Sequence, residues 1–483
     1  MTGDLLDLSR PGRYHVVGVG GPGMSAIGLV LAEMGHRVSG SDLRHLPVLD
    51  RLRAAGVDVH VGHRRELVHG VDAVTASSAI PERNIELDEA RVRSVPTLRR
   101  SGMLAAICAR ARSIGVAGTH GKTTTTSMLS LALVEAGLRP SFIVGGDVTD
   151  VGTGAHWSGE EVLVVEVDES DGTHLALPLA GTILTNVDVD HLDHFGTIEA
   201  LEASFATYLS GIDGPRVVCF DDPAAARLGA LEGVVGYGAV EADDADDPHW
   251  SHGPSLWARD LTAHRGVSRF TVHQRTGPEA DPVVLGEVEL PLRGVHNVRN
   301  ACAVIAMALA LGVPFDPVVT ALGRFGGVAR RFDVRGHDGG ATFVDDYAHL
   351  PAEIDAVLRA ARSSGDEWQR VIAVFQPNRY HRMAVMSPAY ADAFAAADLV
   401  VLTDIYASGT TPIPGVTGKL VVDAVCEAHP EQRVVWIPRR ADLVEYLARE
   451  VRSGDLCISM GCGDVADLPT EVLERRRVPD RIR

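Results

Sequence analysis

Short apolar runs that end in glycine recur along this chain, and each is followed by a longer segment with helical spacing. The first run, Tyr14–Gly20, leads into a glycine-rich turn and an apolar helix predicted over Met24–Met34. The same alternation returns near Ile114 and again beyond Ala341. Buried strands that alternate with helices are typical of parallel sheets covered on both faces. The pattern therefore predicts an α/β protein built on parallel sheets.

The first glycine-rich turn carries Gly18, Gly20 and Gly23 in the spacing G-x-G-x-x-G. A second predicted strand then delivers Ser41 and Asp42, about 20 residues after the glycines. This layout is the Rossmann β-α-β unit, and by itself it favours NAD, with Asp42 on a ribose hydroxyl. A glycine loop at a helix N-terminus accepts any pyrophosphate, however, including that of a UDP-sugar. Both classes of ligand stay open on these residues.

A second glycine-rich turn, G-T-H-G-K-T at 118–123, stands between an apolar strand and a helix predicted from about Thr124. Glycines let the backbone fold around phosphate oxygens, and the helix N-terminus presents free N–H groups to them. Lys122 would reach the β- and γ-phosphates of a nucleotide, and the Thr123 hydroxyl would ligate Mg²⁺. The 45 basic residues include only two lysines, Lys122 and Lys419, which favours a need for a compact ammonium here.

Acidic residues follow two of the predicted strands near this turn. Glu166 interrupts the apolar run Val162–Val167, where an acid is costly unless it is paired or bound to a metal. Beside a phosphate loop it is a natural Mg²⁺ ligand. In the run that follows, Asp168–Asp171, we expect solvation to account for two of the three acids. The next strand ends before a further set of candidate metal or substrate ligands, Asp188, Asp190 and His191.

Two further groups of polar residues lie at element ends. His296, Asn297 and Asn300 open a long alanine-rich helix, where they either cap the helix or present amides to a purine. In the last third of the chain, Asp345–Pro351 and Gln376–Arg382 each follow a predicted strand. Because the carboxyl ends of parallel strands meet at one edge, these two motifs should share one face of the sheet.

Changes of pattern place domain boundaries near residues 100–112 and at Phe325–Gly327. The predicted domains are a Rossmann-like domain at 1–106, a central P-loop-type ATPase domain at 107–325 and a Rossmann-like parallel sheet at 326–483. Short alternating segments in Leu256–Arg293 predict a small antiparallel sheet inserted in the central domain.

Composition narrows the classes of partner. The net charge of −19 argues against non-specific nucleic-acid binding, since a phosphate backbone needs a basic face. No apolar run approaches the ~18 residues of a membrane-spanning helix, and the N-terminus is too polar for a signal peptide. The six cysteines match no zinc motif, so buried thiols in a reducing cytosol are expected. We expect a cytoplasmic protein without nucleic-acid or membrane partners.

In their order along the chain, these motifs resemble those of the Mur ligases. The matching motifs are GVGGPGMS at 18–25, G-T-H-G-K-T, E-x-D-E-S-D, T-N-x-D-x-D-H, G-x-H-N-x-x-N, R-R-F and D-D-Y-x-H. The likeness spans nearly the whole chain, from about His15 to Asp464. The first motif is most similar to the alanine-adding branch of the family and its tripeptide-ligase cousin.

The resemblance implies an ATP-dependent ligase of peptidoglycan precursor synthesis, with one domain each for a UDP-sugar, for ATP and for an amino acid. Such an enzyme uses ATP with Mg²⁺ (or Mn²⁺) to convert the carboxylate of UDP-N-acetylmuramate into an acyl phosphate. The amine of a small amino acid, L-alanine in this branch, then attacks the acyl phosphate. A monomer or homodimer is expected.

Matched position by position, the resemblance also implies site residues. The catalytic residues would be Lys122, His191, Arg330, Arg331 and His349. The ATP contacts would be Gly118, Thr119, His120, Gly121, Lys122, Thr123, Thr124, His296, Asn297 and Asn300. The UDP-sugar contacts would be Gly20, Gly21, Gly23, Met24, Ser25, Asp42 and Ser78. The metal ligands would be Thr123, Glu166 and His191, and the amino-acid contacts Tyr347, His349, Arg379 and Arg382.

The chain departs from the pattern of the alanine ligases at Leu350, Asn378 and Thr410, where those enzymes usually have histidine, histidine and an acid. All three positions lie in the domain expected to face the amino acid. They leave open a diverged ligase that uses another small amino acid or a related UDP-sugar acid. A nucleotide-sensing paralogue without catalysis, and an NAD-dependent dehydrogenase fused to a nucleotide-binding module, are the further alternatives.

Overall fold

The computed structural model describes residues 5–77, 79–148, 152–190, 195–229, 231–239, 255–277, 280–363 and 368–477. Two predicted site residues, Ser78 and His191, lie outside these ranges. By their contacts the residues form two units, which are described separately. The first unit comprises Met1–Leu261, Arg269–Leu290 and Asn297–Gly326, and the second comprises Thr262–Ser268, Pro291–His296 and Gly327–Arg483.

The first sheet of the first unit is wholly parallel, with strand order β3-β2-β1-β4-β5. Its strands are β1 Arg13–Val17, β2 Arg37–Asp42, β3 Asp58–Val61, β4 Ala73–Ala76 and β5 Thr97–Arg99. Its helices are α1 Pro22–Glu33, α2 Pro47–Ala54, α3 Ile85–Val92 and α4 Arg100–Cys108. Proline opens both α1 and α2, where its missing N–H costs nothing. The first glycine turn thus joins the buried strand β1 to the N-terminus of α1.

The second sheet has ten strands, in the order β15-β14-β13-β12-β11-β10-β6-β9-β7-β8. The strands are β6 Arg112–Ala117, β7 Ser141–Val148, β8 Thr153–His156, β9 Val162–Glu166, β10 Gly181–Leu184, β11 Arg216–Cys219, β12 Val234–Ala239, β13 Ser255–His264, β14 Val267–Arg275 and β15 Val283–Leu290. The helices are α5 Lys122–Glu135, α6 Ile198–Ser210, α7 Pro223–Leu228, α8 Val295–Ala310 and α9 Phe315–Arg324.

The middle of this sheet is parallel, and its strand ends assemble one edge. β6 lies between β10 and β9, with Ala117 opposite Leu184 on one side and Val116 opposite Glu166 on the other. The short strands predicted over Leu256–Arg293 are present, and they continue this sheet through a parallel pairing of β13 with β12. The two-residue link Arg265–Gly266 has positive φ at both positions, as hairpin turns require.

The sheet of the second unit has the order β16-β17-β21-β18-β19-β20, with only the β16–β17 pair antiparallel. The strands are β16 Asp333–Asp338, β17 Ala341–Asp346, β18 Arg370–Phe375, β19 Leu399–Leu402, β20 Val434–Trp436 and β21 Asp455–Met460. The helices are α10 Pro351–Ser363, α11 Tyr380–Met386, α12 Lys419–Ala428, α13 Arg440–Glu450 and α14 Leu468–Arg477.

The predicted fold class, α/β with parallel sheets, is confirmed, and the differences lie at element ends. The helix after the second glycine turn starts at Lys122, two residues before the predicted position, because Gly121 takes a left-handed conformation (φ 80°) that ends the turn. Helix α4 stops at Cys108, and Arg112 opens β6. Among the described residues, no helix is both long and apolar enough to span a bilayer. All six cysteines are free thiols; four are buried as expected, whereas Cys426 is exposed and Cys462 is half-buried.

Candidate active site

The turn between β6 and α5 is locked to the loop that follows β10. Gly118 has a φ of 122°, and a Cβ there would collide with Thr185 and with the backbone of Asn186. The Asn186 side chain accepts the N–H of His120 at 2.8 Å and donates to the His120 carbonyl at 3.1 Å. Asn186 therefore clamps the peptide on both sides of His120, and the glycine is required for this close approach.

Asp188 adds two contacts to the same turn. Its carboxylate lies 3.0 Å from Nε2 of His120, and its N–H donates to the hydroxyl of Thr119 at 2.9 Å. The sequence offered the loop after β10 only as a source of metal or substrate ligands. The structure shows that Asn186 and Asp188 shape the phosphate loop itself.

Lys122 lies at the first turn of α5, where its ammonium meets a buried carboxylate. Nζ lies 3.1 and 3.0 Å from the two oxygens of Glu169 and also donates to the carbonyls of Gly118 and Thr119. The Glu169 side chain is 1% exposed and that of Lys122 is 14% exposed. Burial disfavours the charged ammonium. The negative charges of Glu169, Asp168 and Glu166 outweigh this effect and raise the pKa of Lys122. The lysine is therefore a fixed cation at the start of the helix.

The expectation that solvation accounts for two of the three acids in Asp168–Asp171 is wrong. Glu169 pairs with Lys122, and Arg100 donates to both Asp168 and Asp171. The cationic partners come from two different helices, so the local run of acids could not reveal them.

Thr123 and Glu166 converge beside the lysine. The Thr123 hydroxyl donates to Oε1 of Glu166 at 3.2 Å, and the Gly145 N–H donates to Oε2 at 2.6 Å. A Cβ on Gly145 would lie 2.7–2.9 Å from the carboxylate, so only glycine fits there. Two oxygen donors of this kind suit a hard divalent cation that completes its shell with phosphate and water oxygens. Among the described residues no group of three or more His, Cys, Asp or Glu forms a metal cage.

The charges around the turn point to the same cation. The connected set contains two cationic side chains, Lys122 and Arg100, against four carboxylates, which are Glu166, Asp168, Glu169 and Asp171. This excess of negative charge favours a bound cation.

The three residues predicted to contact a purine, His296, Asn297 and Asn300, do not all belong to the same unit. Asn300 donates to Oδ1 of Asn297 at 3.2 Å, and a Cβ on Gly121 would lie 2.9 Å from Oδ1 of Asn300, so Asn300 packs against the phosphate loop. His296 belongs by its contacts to the second unit. Thr124 is buried in the first turn of α5.

The first glycine loop is braced by the end of β2. The carbonyl of Ser41 accepts the N–H groups of Gly18 and Val19 at 2.8 and 3.0 Å, and Oδ2 of Asp42 accepts the N–H of Gly20 at 2.9 Å. Asp42, predicted as a ligand contact, thus uses one oxygen to hold the loop. At the start of α1, Gly21 accepts the N–H groups of Met24 and Ser25 at 3.1 and 2.8 Å, and Gly23 lies beside Arg100.

Sequence reasoning missed a buried acid beneath this loop. Glu86 is fully buried and accepts the Ser41 hydroxyl at 2.6 Å and the Arg64 N–H at 2.9 Å, with ring nitrogens of His63 and His15 at 3.2 and 3.4 Å. Burial alone would raise the pKa of Glu86, but these hydrogen bonds hold it below its ordinary value. No local signal marked it, since its partners come from three separate segments.

In the second unit, Arg330 joins the ends of two strands. Its Nε donates to Asp345 at 2.9 Å and its Nη2 to the Gly461 carbonyl at 2.7 Å, while the guanidinium carbons of Arg330 and Arg331 lie 5.0 and 5.2 Å from the Tyr347 ring centre. These contacts are within cation–π range. The two predicted arginines and Tyr347 therefore form one group.

Asp346, beside this group, is a buried carboxyl with a shifted pKa. It accepts the N–H groups of Ala348 and Phe332, each at 2.7 Å. Burial raises the pKa of Asp346 to about 6, and the charge of Arg331 only partly opposes this. The carboxyl thus fixes the backbone just after the arginine pair and just after Tyr347.

His349 lies at the entrance to α10. Its Nδ1 lies 3.2 Å from the carboxylate of Glu353, which also accepts the N–H groups of His349 and Leu350 at 2.8 and 3.1 Å. The acid satisfies free N–H groups at the start of the helix, in the manner of a capping box. Leu350, one of the three departures, is buried here.

The other two departures from the family pattern, Asn378 and Thr410, make hydrogen bonds with residues of α11. Arg379, before the helix, has the strained φ of 60°, and Nη1 of Arg382 donates to the buried Asn378 at 3.2 Å. The Thr410 hydroxyl accepts the first N–H of the helix, that of Tyr380, at 3.1 Å. Thr410 therefore makes the contact with a helix N-terminus that an acid would also make.

A glycine loop with a fixed lysine, a threonine–glutamate oxygen pair beside it and a second glycine loop on a Rossmann-like sheet are typical of nucleotide-phosphate-binding α/β proteins. Models of the Mur ligase family match in succession, the catalytic domain at residues 13–112, the middle domain at 116–308 and the glutamate ligase domain at 330–463. The chain belongs to the Mur ligase family.

Individual members of the family are similar to this chain over nearly its whole length. The chain is 41% identical to the UDP-N-acetylmuramate–L-alanine ligase of Rubrobacter xylanophilus over 96% of this chain and all of the relative. It is 42% identical to the enzyme of the same name from Acidothermus cellulolyticus, over 98% and 96% of the two chains. The crystal structure of UDP-N-acetylmuramate–alanine ligase MurC from Thermotoga maritima superposes with a TM-score of 0.78 at 27% identity, over 96% and 99%. The predicted resemblance and the predicted class of enzyme, a ligase, are confirmed.

Proposed function

We propose that this chain is the ATP-dependent ligase that joins L-alanine to the carboxylate of UDP-N-acetylmuramate in peptidoglycan precursor synthesis. The observation that carries the proposal is the convergence of Lys122, Thr123 and Glu166 on one phosphate loop, in a chain 41% identical to ligases of this name. The Mur ligase family is ATP-dependent, which supports ATP as the phosphoryl donor. The free thiols are consistent with a cytoplasmic location.

In the proposed reaction the first unit binds the phosphates of ATP. The N–H groups at the start of α5 and the ammonium of Lys122 hold the β- and γ-phosphates. Thr123 and Glu166, with His191 as a third candidate, would hold Mg²⁺ or Mn²⁺, which neutralises phosphate charge during transfer. Lys122 is fixed in place by Glu169, so little reorganisation is needed when negative charge moves from the attacking carboxylate to the leaving β-phosphate of ADP.

Two bonds are exchanged in sequence. A carboxylate oxygen of the sugar attacks the γ-phosphorus and ADP leaves, which gives an acyl phosphate. The amine of alanine then attacks the acyl carbon, the C–O bond to phosphate breaks, and the amine loses a proton as the amide forms. In the second unit we assign Arg330 and Arg331 to phosphate, because both lie against Tyr347. We assign Tyr347, His349, Arg379 and Arg382 to the amino acid, because they follow the carboxyl ends of β17 and β18.

The proposed domain boundaries stay at 1–106, 107–325 and 326–483. The first glycine loop, with Gly20, Gly21, Gly23, Met24, Ser25 and Asp42, is assigned to the UDP-sugar, and Ser78 is assigned with it. The loop is well formed, and the sheet that carries it has the strand order 3-2-1-4-5 of a Rossmann-like fold.

A coupled assay of ADP and phosphate release tests the proposal. We expect release to require both UDP-N-acetylmuramate and an amino acid, and L-alanine to give the highest kcat/KM in a panel of the twenty amino acids and short peptides. Turnover with the sugar that is highest for another amino acid would support the diverged ligase instead. ATP binding without turnover on any acceptor would support the non-catalytic paralogue, and tight NAD binding would support a dehydrogenase.

A further inference from the structure

Arg100, the first residue of α4, lies beside the first glycine loop and pairs with two aspartates that follow β9. A Cβ on Gly23 would lie 3.3 Å from Nη1 of Arg100 and 3.5 Å from its Cδ. On its other side, Nη2 donates to Asp168 at 2.8 Å and to Asp171 at 3.2 Å. The motif comparison assigned this arginine no role.

The two aspartates fix one end of the guanidinium only. Both ion pairs use Nη2, and neither Nε nor Nη1 of Arg100 has a hydrogen-bond partner among the described residues. The arginine side chain is 21% exposed, and those of Asp168 and Asp171 are 35% and 29% exposed. A guanidinium held at one nitrogen, with its remaining donors turned to a glycine loop, is prepared to bind an anion there.

The position of Gly23 indicates which anion is closest. Gly23 is the third glycine of G-x-G-x-x-G and the second residue of α1, and the pyrophosphate of a bound nucleotide lies at this helix N-terminus in Rossmann-like folds. A side chain at position 23 would press against Arg100, so the glycine leaves the guanidinium within reach of the loop.

Asp168 also connects this arginine to the second loop. Its carboxylate accepts a hydrogen bond from Nη2 of Arg100 at 2.8 Å and so orients the guanidinium. The next residue, Glu169, holds Lys122.

We propose that Arg100 binds the anionic part of the sugar nucleotide on the first glycine loop through Nη1 and Nε, while Asp168 and Asp171 hold its Nη2. The pyrophosphate is the anion that the position of Gly23 favours. The lactyl carboxylate of UDP-N-acetylmuramate carries the same kind of negative oxygen, and the experiment separates the two. This inference rests on the proposed function, since it takes the sugar nucleotide as the ligand.

The test compares the binding of two sugar nucleotides to the full chain without ATP. UDP-N-acetylmuramate has both anions, and UDP-N-acetylglucosamine has the pyrophosphate but no lactyl carboxylate. Loss of one charged hydrogen-bonding group weakens binding by about tenfold to a hundredfold. We expect Arg100→Gln to weaken both ligands by about this factor, and Arg100→Lys, which keeps the charge but loses the fork of donors, to weaken both less.

Matched variants separate binding from folding. Arg139→Gln removes an exposed arginine that pairs with Glu160 in the same unit, and it should leave both affinities unchanged. Asp171→Asn keeps Arg100 but loosens its hold, and should weaken both ligands by about threefold. Melting temperatures show whether each variant is folded. If Arg100→Gln does not fold, the affinities of Arg100→Lys and Asp171→Asn still test whether Arg100 binds the ligand.

The outcomes are distinct. Weaker binding of both ligands supports the pyrophosphate contact. Weaker binding of UDP-N-acetylmuramate alone overturns that assignment and moves the contact to the carboxylate. Wild-type affinity for both ligands in the Gln and Lys variants overturns the proposal, whereas a wild-type protein that binds neither sugar nucleotide contradicts the proposed function instead.

Discussion

The ion pair between Lys122 and Glu169 makes the simplest test of the phosphate loop ambiguous, and a double variant resolves it. Replacing Lys122 alone would remove the ammonium that lies 3.0 Å from the carboxylate of Glu169, which is 1% exposed. Removing one member of a buried pair costs about 3–5 kcal/mol. Lys122→Met should therefore lower both turnover and stability, and low activity alone would not distinguish a phosphate ligand from a structural lysine.

The double variant Lys122→Met/Glu169→Gln removes both charges and should recover most of the lost stability, because replacing a buried pair as a whole is close to neutral. Turnover should not recover. Loss of one preorganised charge-stabilising donor costs about 10²–10³-fold in kcat, and the double variant lacks the ammonium as fully as the single variant does. Stability should thus show a coupling energy of about 3 kcal/mol, with no such coupling in ln kcat.

Melting temperature and kcat for ADP release would be measured for the wild type, both single variants and the double variant. Glu169→Gln alone should retain turnover, since the amide oxygen can still accept from Nζ of Lys122, and the carboxylates of Asp168 and Glu166 also raise the pKa of the lysine. Near-wild-type turnover in the double variant would refute the reasoning, because it would mean that Lys122 only neutralises Glu169.

Two further variants test the metal ligand and the buried carboxyl. Gly145→Ala would place a Cβ 2.7–2.9 Å from the carboxylate of Glu166, so the Mg²⁺ concentration for half-maximal turnover should rise by about 10–100-fold, as for other losses of groups that orient a metal ligand. Asp346 has a pKa of about 6 against an ordinary 3.8, so its stabilising contribution is present below pH 3.8 and is lost as pH rises through about 6. The unfolding free energy of the wild type, minus that of Asp346→Asn, should therefore fall by about 2 kcal/mol between pH 4 and pH 7 in denaturant titrations.

Each of these two variants has its own check. Gly323→Ala makes the same chemical change inside a helix where the new Cβ would be 3.5 Å from its nearest neighbour, and it should leave the Mg²⁺ requirement unchanged. An unchanged requirement in Gly145→Ala would show that Glu166 does not bind the metal. Asp346→Asn also turns an N–H group towards the amides of Phe332 or Ala348, a cost that does not depend on pH. A constant difference at all pH values would therefore mean that the carboxyl is ionised in the folded protein.

Sequence could predict those parts of the site that depend on strand order and element ends. A strand, a glycine turn and a helix in succession place Lys122 and Thr123 at a helix N-terminus, and an acid at the end of a neighbouring parallel strand must lie close by. The 3.2 Å contact between Thr123 and Glu166 follows from these two facts. The fold class rests on the same alternation of elements.

What sequence could not supply is the partner of each charged group. The Asp168–Asp171 run was expected to be mostly solvated, yet its cationic partners, Lys122 and Arg100, come from the starts of two different helices. In the same way, the hydrogen-bond partners of Glu86 come from three separate segments of the chain. Such pairs depend on side-chain directions across elements, which hydrophobic periodicity does not encode.

Strand β17 ends in two adjacent buried acids, and this has a consequence for how the chain tolerates change. Neighbouring residues of a strand point to opposite faces, so Asp345 reaches Arg330 on one side while Asp346 holds the Phe332 backbone on the other. Deleting one residue from the strand would exchange the two and leave each carboxylate facing the wrong group. Variants with one residue more or fewer in β17 should therefore fail to fold correctly even where the hydrophobic pattern is kept. The loop Gly339–Gly340, which joins β16 to β17, should accept an insertion.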